Sequence, residues 1–334
     1  MTSTSHPIAL VIGATGGIGG EAAAALVRHG WTVRALTRRD QPAKNGIDWI
    51  GGDAMVAADV SRAAQGVSLI VHAANPPGYK DWDKLVLPML DNTIAAAKVN
   101  GARILLPGTV YNFGLDAFPL IDETAPQTPA TRKGKIRVEM ERRLKAASEG
   151  GVPVLIVRAG DFFGPHAGNN YFGQAVVKPG APLTSVTEPS AKGVSHAWAY
   201  LPDLAETMAR LLDRADGLGP FEVFHFGGHQ LAWGEMAASI RRVTGQPKLP
   251  MRGFPWALVL ALSPVVRLFR EMAEMRYLWR EPMVLVDGKL RAFLGEAPHT
   301  PLDVAVEASL RGLGCLENPL QKGEGRAPRL AVGG

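Results

Sequence analysis

In the first half of the chain, short runs of apolar residues alternate with longer stretches in which apolar residues return every three or four positions. The runs Ile8–Ile12, Thr32–Leu36, Ile47–Ile50, Ser68–His72, Arg103–Leu106 and Val154–Val157 predict strands, being short and rich in Val, Ile and Leu. Between them Gly17–His29, Val56–Ala64, Lys84–Val99 and Lys133–Ser148 predict helices. In the last of these Ile136, Met140, Leu144 and Ala147 share one face, which leaves Lys135, Glu139 and Arg142 on another. This alternation predicts an α/β architecture, a parallel doubly wound sheet with helices on both faces.

Beyond Gly164, Gly, Pro and Asn break every run up to Tyr200, and the helical stretches Trp233–Thr244, Trp256–Trp279 and Leu302–Gly312 have few strands between them. The expected organisation is a sheet domain over residues 1–164, rejoined by part of 199–228, and a smaller, mixed and mainly helical subdomain over 165–316. The end, 317–334, carries Gly, Pro and charge without periodicity and is expected to be a flexible tail. The longest apolar run, Trp256–Val266, is interrupted by Pro264 and falls well short of the ~20 residues of a membrane span. It reads as a buried amphipathic helix, and no membrane contact is expected.

The turn after the first strand carries the strongest chemical signal. Gly13, Ala14, Thr15, Gly16, Gly17, Ile18 and Gly19 spell GATGGIG directly between an apolar strand and a helix. The first glycine permits a tight turn, the second lets a pyrophosphate approach the backbone, and the third lets helix and strand pack closely. The helix amino end then offers N–H donors to the anion. A dinucleotide-binding Rossmann unit is expected. In an NAD-type site an acid lies ~20 residues further on, where it bonds the ribose 2′-hydroxyl. This chain has Thr37, Arg38 and Arg39 there, with no acid before Asp40. Two guanidinium groups suit a 2′-phosphate, so NADP(H) is favoured and NAD(H) stays open.

With these motifs in place, the chain from Ile8 to about Glu206 resembles the extended short-chain dehydrogenase/reductases, the NAD-dependent epimerase/dehydratase family. The likeness is carried, in order, by GATGGIG, by "GGDAMVAADVSRAAQGVSLIVHAAN" at Gly51–Asn75, "VYNFG" at Val110–Gly114, "VRAGDFFGP" at Val157–Pro165 and "AYLPDLAE" at Ala199–Glu206. The resemblance implies that Asp53 and Ala54 contact the adenine and that Ala73, Ala74 and Asn75 line the nicotinamide ribose side. It also implies that Ala159, Gly160 and Asp161 lie near the nicotinamide.

The family's active site has Tyr-x-x-x-Lys on a helix, the tyrosine exchanging a proton with the substrate oxygen and the lysine holding the ribose. Here the matching segment is "TPATRKGKIRVEMERRL". With Lys135 in the lysine place the tyrosine place is Thr131, too weak an acid to replace a phenol of pKa ~10. With Arg137 in that place it is Lys133. Pro107 stands at the family's serine position, with Thr109 the nearest hydroxyl. The expected assignment is Lys135 at the cofactor ribose and a proton from Tyr111, Thr109 or a water, with Asp161 a further candidate. Asn169, Asn170, Tyr171, Phe172 and His196 fall where substrate residues are expected, His196 alternating with Trp198 and Tyr200 on one strand face.

The reading is therefore an NADP-dependent oxidoreductase or epimerase-like enzyme acting on a carbonyl or hydroxyl of a small polar molecule. The alternative is a non-catalytic NADP-binding regulator or sensor, which the missing tyrosine brings forward. Composition narrows the rest. Of 334 residues 46% are hydrophobic and 20% charged, as in soluble globular proteins. A net charge of +5, with its 36 basic residues spread along the chain, suits small anionic ligands and not nucleic acid. A single cysteine, Cys315, allows no intrachain disulfide, and "MTSTSHP" has no basic n-region, so a cytoplasmic protein is expected. The eight histidines show no metal-ligand spacing, and no metal is expected. The partner expected is a small-molecule substrate, with a homodimer left open.

Overall fold

The computed structural model describes residues 6–42, 46–76, 81–166 and 170–316. Its centre is a sheet of seven parallel strands: β1 (Ile8–Ile12), β2 (Thr32–Thr37), β3 (Ile47–Gly51), β4 (Leu69–His72), β5 (Arg103–Thr109), β6 (Val154–Ala159) and β7 (Phe221–Phe226). They lie in the order β7-β6-β5-β4-β1-β2-β3. The helices α1 (Gly17–Arg28), α2 (Ala57–Ala63), α3 (Trp82–Asn100) and α4 (Arg132–Glu149) connect them. The strands are apolar on both faces because helices cover both. Ala9, Val11, Leu155 and Val157 enter one core, and Leu10, Ile12, Ile104 and Ile156 the other. Strand order reverses between β1 and β4, so their carboxyl ends diverge into the crevice where this fold takes its ligand.

Strand β5 runs further than its apolar residues predict. Its pairing with β4 ends at Leu105, whereas its pairing with β6 continues through Thr109. Pro107 is tolerated there because the strand then has one neighbour, not two. Strand β7 is not visible in the periodicity of the early chain. It arrives from beyond α5 (Leu201–Asp213), which packs on α1 through Ala205 and Ala209 against Ala25.

A further core gathers Phe163, Phe172, Trp198, Tyr200, Ile240, Trp279 and Leu310. It is built around a ribbon in which His196–Tyr200 lies between Asp161–Phe163 and His229–Leu231. Helix α6 (Glu235–Thr244) packs there with the last helix. The stretch expected as one helix from Trp256 to Trp279 is instead α7 (Trp256–Leu262), α8 (Arg267–Glu274) and a 3-10 turn at Arg276–Trp279. Pro264 separates the first two, since its ring cannot sit inside a helix without breaking it. The expectation that this stretch is buried fails as well: of α7 only Val259 is buried. Helix α9 (Gly288–Leu294) returns to the sheet, with Leu290 and Leu294 in the first core, and α10 (Leu302–Gly312) closes the described chain. The segment expected as a tail, 317–334, lies outside the described residues.

Candidate functional site

The turn after β1 is shaped by what its glycines touch. Gly13 has φ +99°, and a Cβ on it would lie 2.6 Å from the carbonyl carbon and oxygen of Ala73. Only glycine lets the turn pass so close to the end of β4. A Cβ on Gly19 would strike the carbonyl oxygen of Gly13, to which Gly16 donates its N–H at 2.9 Å. Gly16 caps α1, whose first-turn N–H groups have no acceptor within the helix. Ala14 is buried beneath the turn, while Thr15 is exposed and Gly17 and Ile18 are half-buried on it. This backbone cradle at the β1/β4 crevice fits a pyrophosphate.

Arg38 and Arg39 follow β2 directly and are exposed. Thr37 fixes their turn, its hydroxyl donating to the Arg39 carbonyl at 2.7 Å and accepting from the Arg39 N–H at 3.2 Å. Asp53 lies just past β3, its carboxylate accepting from Met55 N–H at 2.9 Å. The Ala54 carbonyl accepts from Asn92 of α3 at 2.8 Å. Ala73 continues from β4 with its N–H on the Ile12 carbonyl at 2.9 Å. All of these stand along one edge of the sheet.

A cavity opens at that edge. Asn75, Thr109, Tyr111, Ala159, Gly160 and Asp161 line it from the strand ends, and Trp82 and Arg137 from α3 and α4. Phe162, Asn170 and Tyr171 line it from the chain after β6, and Leu268 and Met272 from α8. The Thr109 hydroxyl is buried with no hydrogen-bond partner among the described residues. Thr109 is placed by Arg158, which is 1% exposed and donates to the Thr109 carbonyl at 2.6 Å and to Glu141 at 2.8 Å. Its Nε lies 3.3 Å from His225 Nε2, and His225 Nδ1 donates to the Ile121 carbonyl at 3.1 Å. Burial, and then the Arg158 charge, push the His225 pKa down to about 3, so the ring accepts from Arg158 as a neutral imidazole.

Asp161 enters the cavity on a turn that needs Gly160, where a Cβ would lie 2.8 Å from the Ala197 carbonyl carbon. Behind it sits His196, 1% exposed and stacked on Trp279 at 3.8 Å between ring centroids. His196 Nδ1 is 3.2 Å from the Leu278 carbonyl oxygen and its Nε2 is 2.8 Å from Asp161 Oδ2, so the ring stands between two acceptors and ties Asp161 to the chain behind it.

Helix α4 turns Lys133 and Arg137 inward, 1% and 9% exposed, and leaves Lys135 exposed. The structure thus does not bring Lys135 to the cavity. The buried stripe of α4 is broader than its four apolar residues, running through Lys133, Ile136, Arg137, Met140, Glu141 and Leu144. Thr131 is the N-cap, accepting from Gly134 N–H at 3.0 Å. Lys133 Nζ pairs with Glu271 at 2.6 Å and Glu274 at 2.9 Å. Burial works against the Glu274 charge, and the Lys133 hydrogen bond and charge overcome it, holding that carboxyl below its ordinary range. The Arg137 guanidinium lies 5.0 Å over the Trp82 ring.

Two other expected substrate residues lie outside the cavity lining. Phe172 is fully buried, packing on Phe163 and Trp198, and His196 stands behind Asp161. Asn170 and Tyr171 do line the cavity, and Asn169 lies outside the described residues.

The sequence profile of the NAD dependent epimerase/dehydratase family matches residues 9–227, nearly the whole of the seven-stranded sheet with its connections. The chain belongs to that family. Among solved structures, gox2253 superposes with a TM-score of 0.71 at 22% identity, covering 93% of this chain and 100% of its own. The UDP-glucuronic acid 4-epimerase from Bacillus cereus, in complex with NAD, gives 0.70 at 16% identity, covering 92% and 96%. At these identities the likeness shows a shared fold. The uncharacterized protein y4nL of Sinorhizobium fredii is 26% identical over 48% of this chain and 52% of its own, so the chain spans about half the length of that relative.

Against the family's Tyr-x-x-x-Lys pattern, only the register Lys133/Arg137 puts both positions on the buried face of α4. Neither register supplies a phenol. Sequence reasoning missed the choice of Arg137, the closure of α8 over Lys133, and the pairing of Asp161 with His196. The first had a signal, since Lys133 and Arg137 keep the family's spacing of four. The other two join residues far apart in the chain, and no local pattern announces them.

Proposed function

We propose that this family member is a nicotinamide-dependent oxidoreductase or epimerase-like enzyme acting on a hydroxyl or carbonyl of a small molecule, with Asp161, backed by His196, moving the proton. The observation that carries this reading is the Asp161–His196 contact at the wall of the cavity, 2.8 Å long. When bound, a nicotinamide would accept or donate the hydride. Gly13–Gly19 would hold its pyrophosphate, Asp53 and Ala54 its adenine, and Ala73, Ala74 and Asn75 its nicotinamide ribose side.

Asp161 takes the hydroxyl proton when the substrate is oxidised and returns it to the carbonyl oxygen in the reverse direction, while His196 shares the charge. Thr109 and Tyr111 orient that oxygen, and Arg137 supplies the cation that the family draws from its lysine. NADP(H) in preference to NAD(H) is supported by the exposed Arg38 and Arg39 at the end of β2. The Bacillus cereus epimerase was solved with NAD, which keeps NAD(H) as the alternative. The sealing of Lys133 under α8 favours the second reading, a non-catalytic regulator. Calorimetry with both cofactors, followed by turnover on a panel of alcohols and carbonyls, tests these readings. Binding with turnover supports the enzyme, binding without turnover in the parent supports the regulator, and absence of binding removes both.

A further inference from the structure

We propose that the face formed by α7 and α8 docks on an anionic lipid surface, lying on it without crossing it. Among the described residues, six of the fourteen large apolar side chains that stand exposed fall within residues 258–268: Leu258, Leu260, Leu262, Val265, Val266 and Leu268. Single exposed apolar residues are ordinary, but a run of this density marks an interaction surface. Val265 is 80% exposed and Leu258 53%. The hairpin is apolar enough to be a core element, yet the fold leaves it facing outward.

Its charges identify the occupant. From Met251 to Met283 there are five arginines, Arg252, Arg267, Arg270, Arg276 and Arg280. Of the three acids in the same stretch, Glu271 and Glu274 turn inward onto Arg132 and Lys133, which leaves Glu281 exposed. Arg276 and Arg280 border a shallow groove with Leu260 and Leu115, so cationic and apolar groups share one surface. An apolar stripe rimmed by arginine is the make-up of a segment that rests at a headgroup boundary and prefers anionic lipid. A second copy of the chain fits less well, because it would bring two positively charged rims together. No helix among the described residues is long and apolar enough to cross a membrane. Leu268 and Met272 of the same α8 line the cavity, so docking would bring a wall of that cavity next to lipid. The docking itself does not depend on the redox reading.

The test is co-sedimentation of the full chain with vesicles of phosphatidylcholine, alone or mixed with phosphatidylglycerol, alongside sedimentation equilibrium without lipid. The expected result is binding to the anionic vesicles, about tenfold or more tighter than to the neutral ones. Leu258→Ser/Leu260→Ser/Val265→Ser should abolish binding with the melting temperature kept, because all three side chains are exposed. Arg270→Glu/Arg280→Glu should remove the preference for anionic lipid. Equal binding to both compositions overturns the proposal, as does binding to neither. A dimer that dissociates on the triple substitution, in a protein that ignores vesicles, overturns it in favour of a second copy.

Discussion

Nζ of Lys133 lies 2.6 Å from Oε2 of Glu271, with the two side chains 1% and 2% exposed. In the register that sets Arg137 in the lysine place of the family pattern, Lys133 takes the tyrosine position, and this pair holds it away from the cavity lining. Lys133→Tyr should therefore raise no turnover and should instead destabilise the fold, because it strands Glu271. Removing one partner of a buried pair costs ~3–5 kcal/mol, and the lower end is expected here because Arg132 still reaches Glu271 at 2.8 Å. Chemical denaturation of Lys133→Met, Glu271→Gln and the double variant checks it. The double variant should be more stable than the sum of the single losses implies.

Asp161→Asn keeps the shape of the turn but cannot take a proton. Turnover should drop by the ~10²–10⁴-fold typical of a lost general acid or base, with cofactor affinity kept. Tyr111→Phe should have the smaller effect. Steady-state kinetics with parallel calorimetry decides, and the reverse ranking would move the proton to Tyr111.

Cofactor choice is expected to rest on the turn after β2. Arg38→Ala should weaken NADP(H) by about 1.5–3 kcal/mol, the size of a hydrogen bond to a charged group, and leave NAD(H) nearly unchanged. On α4, Lys135→Met should leave cofactor affinity alone, because Lys135 is exposed, while Arg137→Met should alter binding at the cavity. Titration calorimetry reads both comparisons.

Three buried histidines predict how stability depends on pH. Burial, followed by the charge of Arg137, Arg158 or His299, pushes His72 and His225 down to about 3 and His229 down to about 4. In the unfolded chain they titrate near 6.5. Between these values the unfolded state binds more protons, so the stability is fully present above pH ~6.5, is lost as pH falls, and levels off below ~3. Each of the three should contribute about 1.4 kcal/mol per pH unit between pH ~6.5 and its folded-state value, which comes at about 4 for His229 and about 3 for His72 and His225. Urea midpoints between neutral pH and pH 4.5 check the slope, which His72→Gln should reduce.

The early sheet was readable because each strand and helix advertises itself locally: Ile8–Ile12 was placed to the residue, and α1 to within one. The glycine turn was readable for the same reason, since its geometry is dictated within seven residues. The place expected for Lys135 follows from the family register Thr131/Lys135, whereas the apolar face of α4 already sets Lys135 on another side; the buried Lys133, Arg137 and Glu141 are not legible because their burial depends on charge partners and ring contacts from other elements. The Asp161–His196 contact was hidden because it forms between neighbouring strands of a ribbon, in a register that follows from tertiary packing. The burial expected of Trp256–Val266 fails because the length of an apolar run carries no information about which face is left outside.

The sheet is finished by residues that come late. Phe221–Phe226 supplies its seventh strand and α9 covers it, whereas Val154–Ala159, buried at every position, is made long before. A chain leaving the ribosome must hold that sixth strand as an open apolar rim until Phe221–Phe226 has emerged, the kind of edge on which neighbouring chains pair wrongly. A fragment that ends at Gly164 would leave the outer edge of this strand unpaired along its whole length.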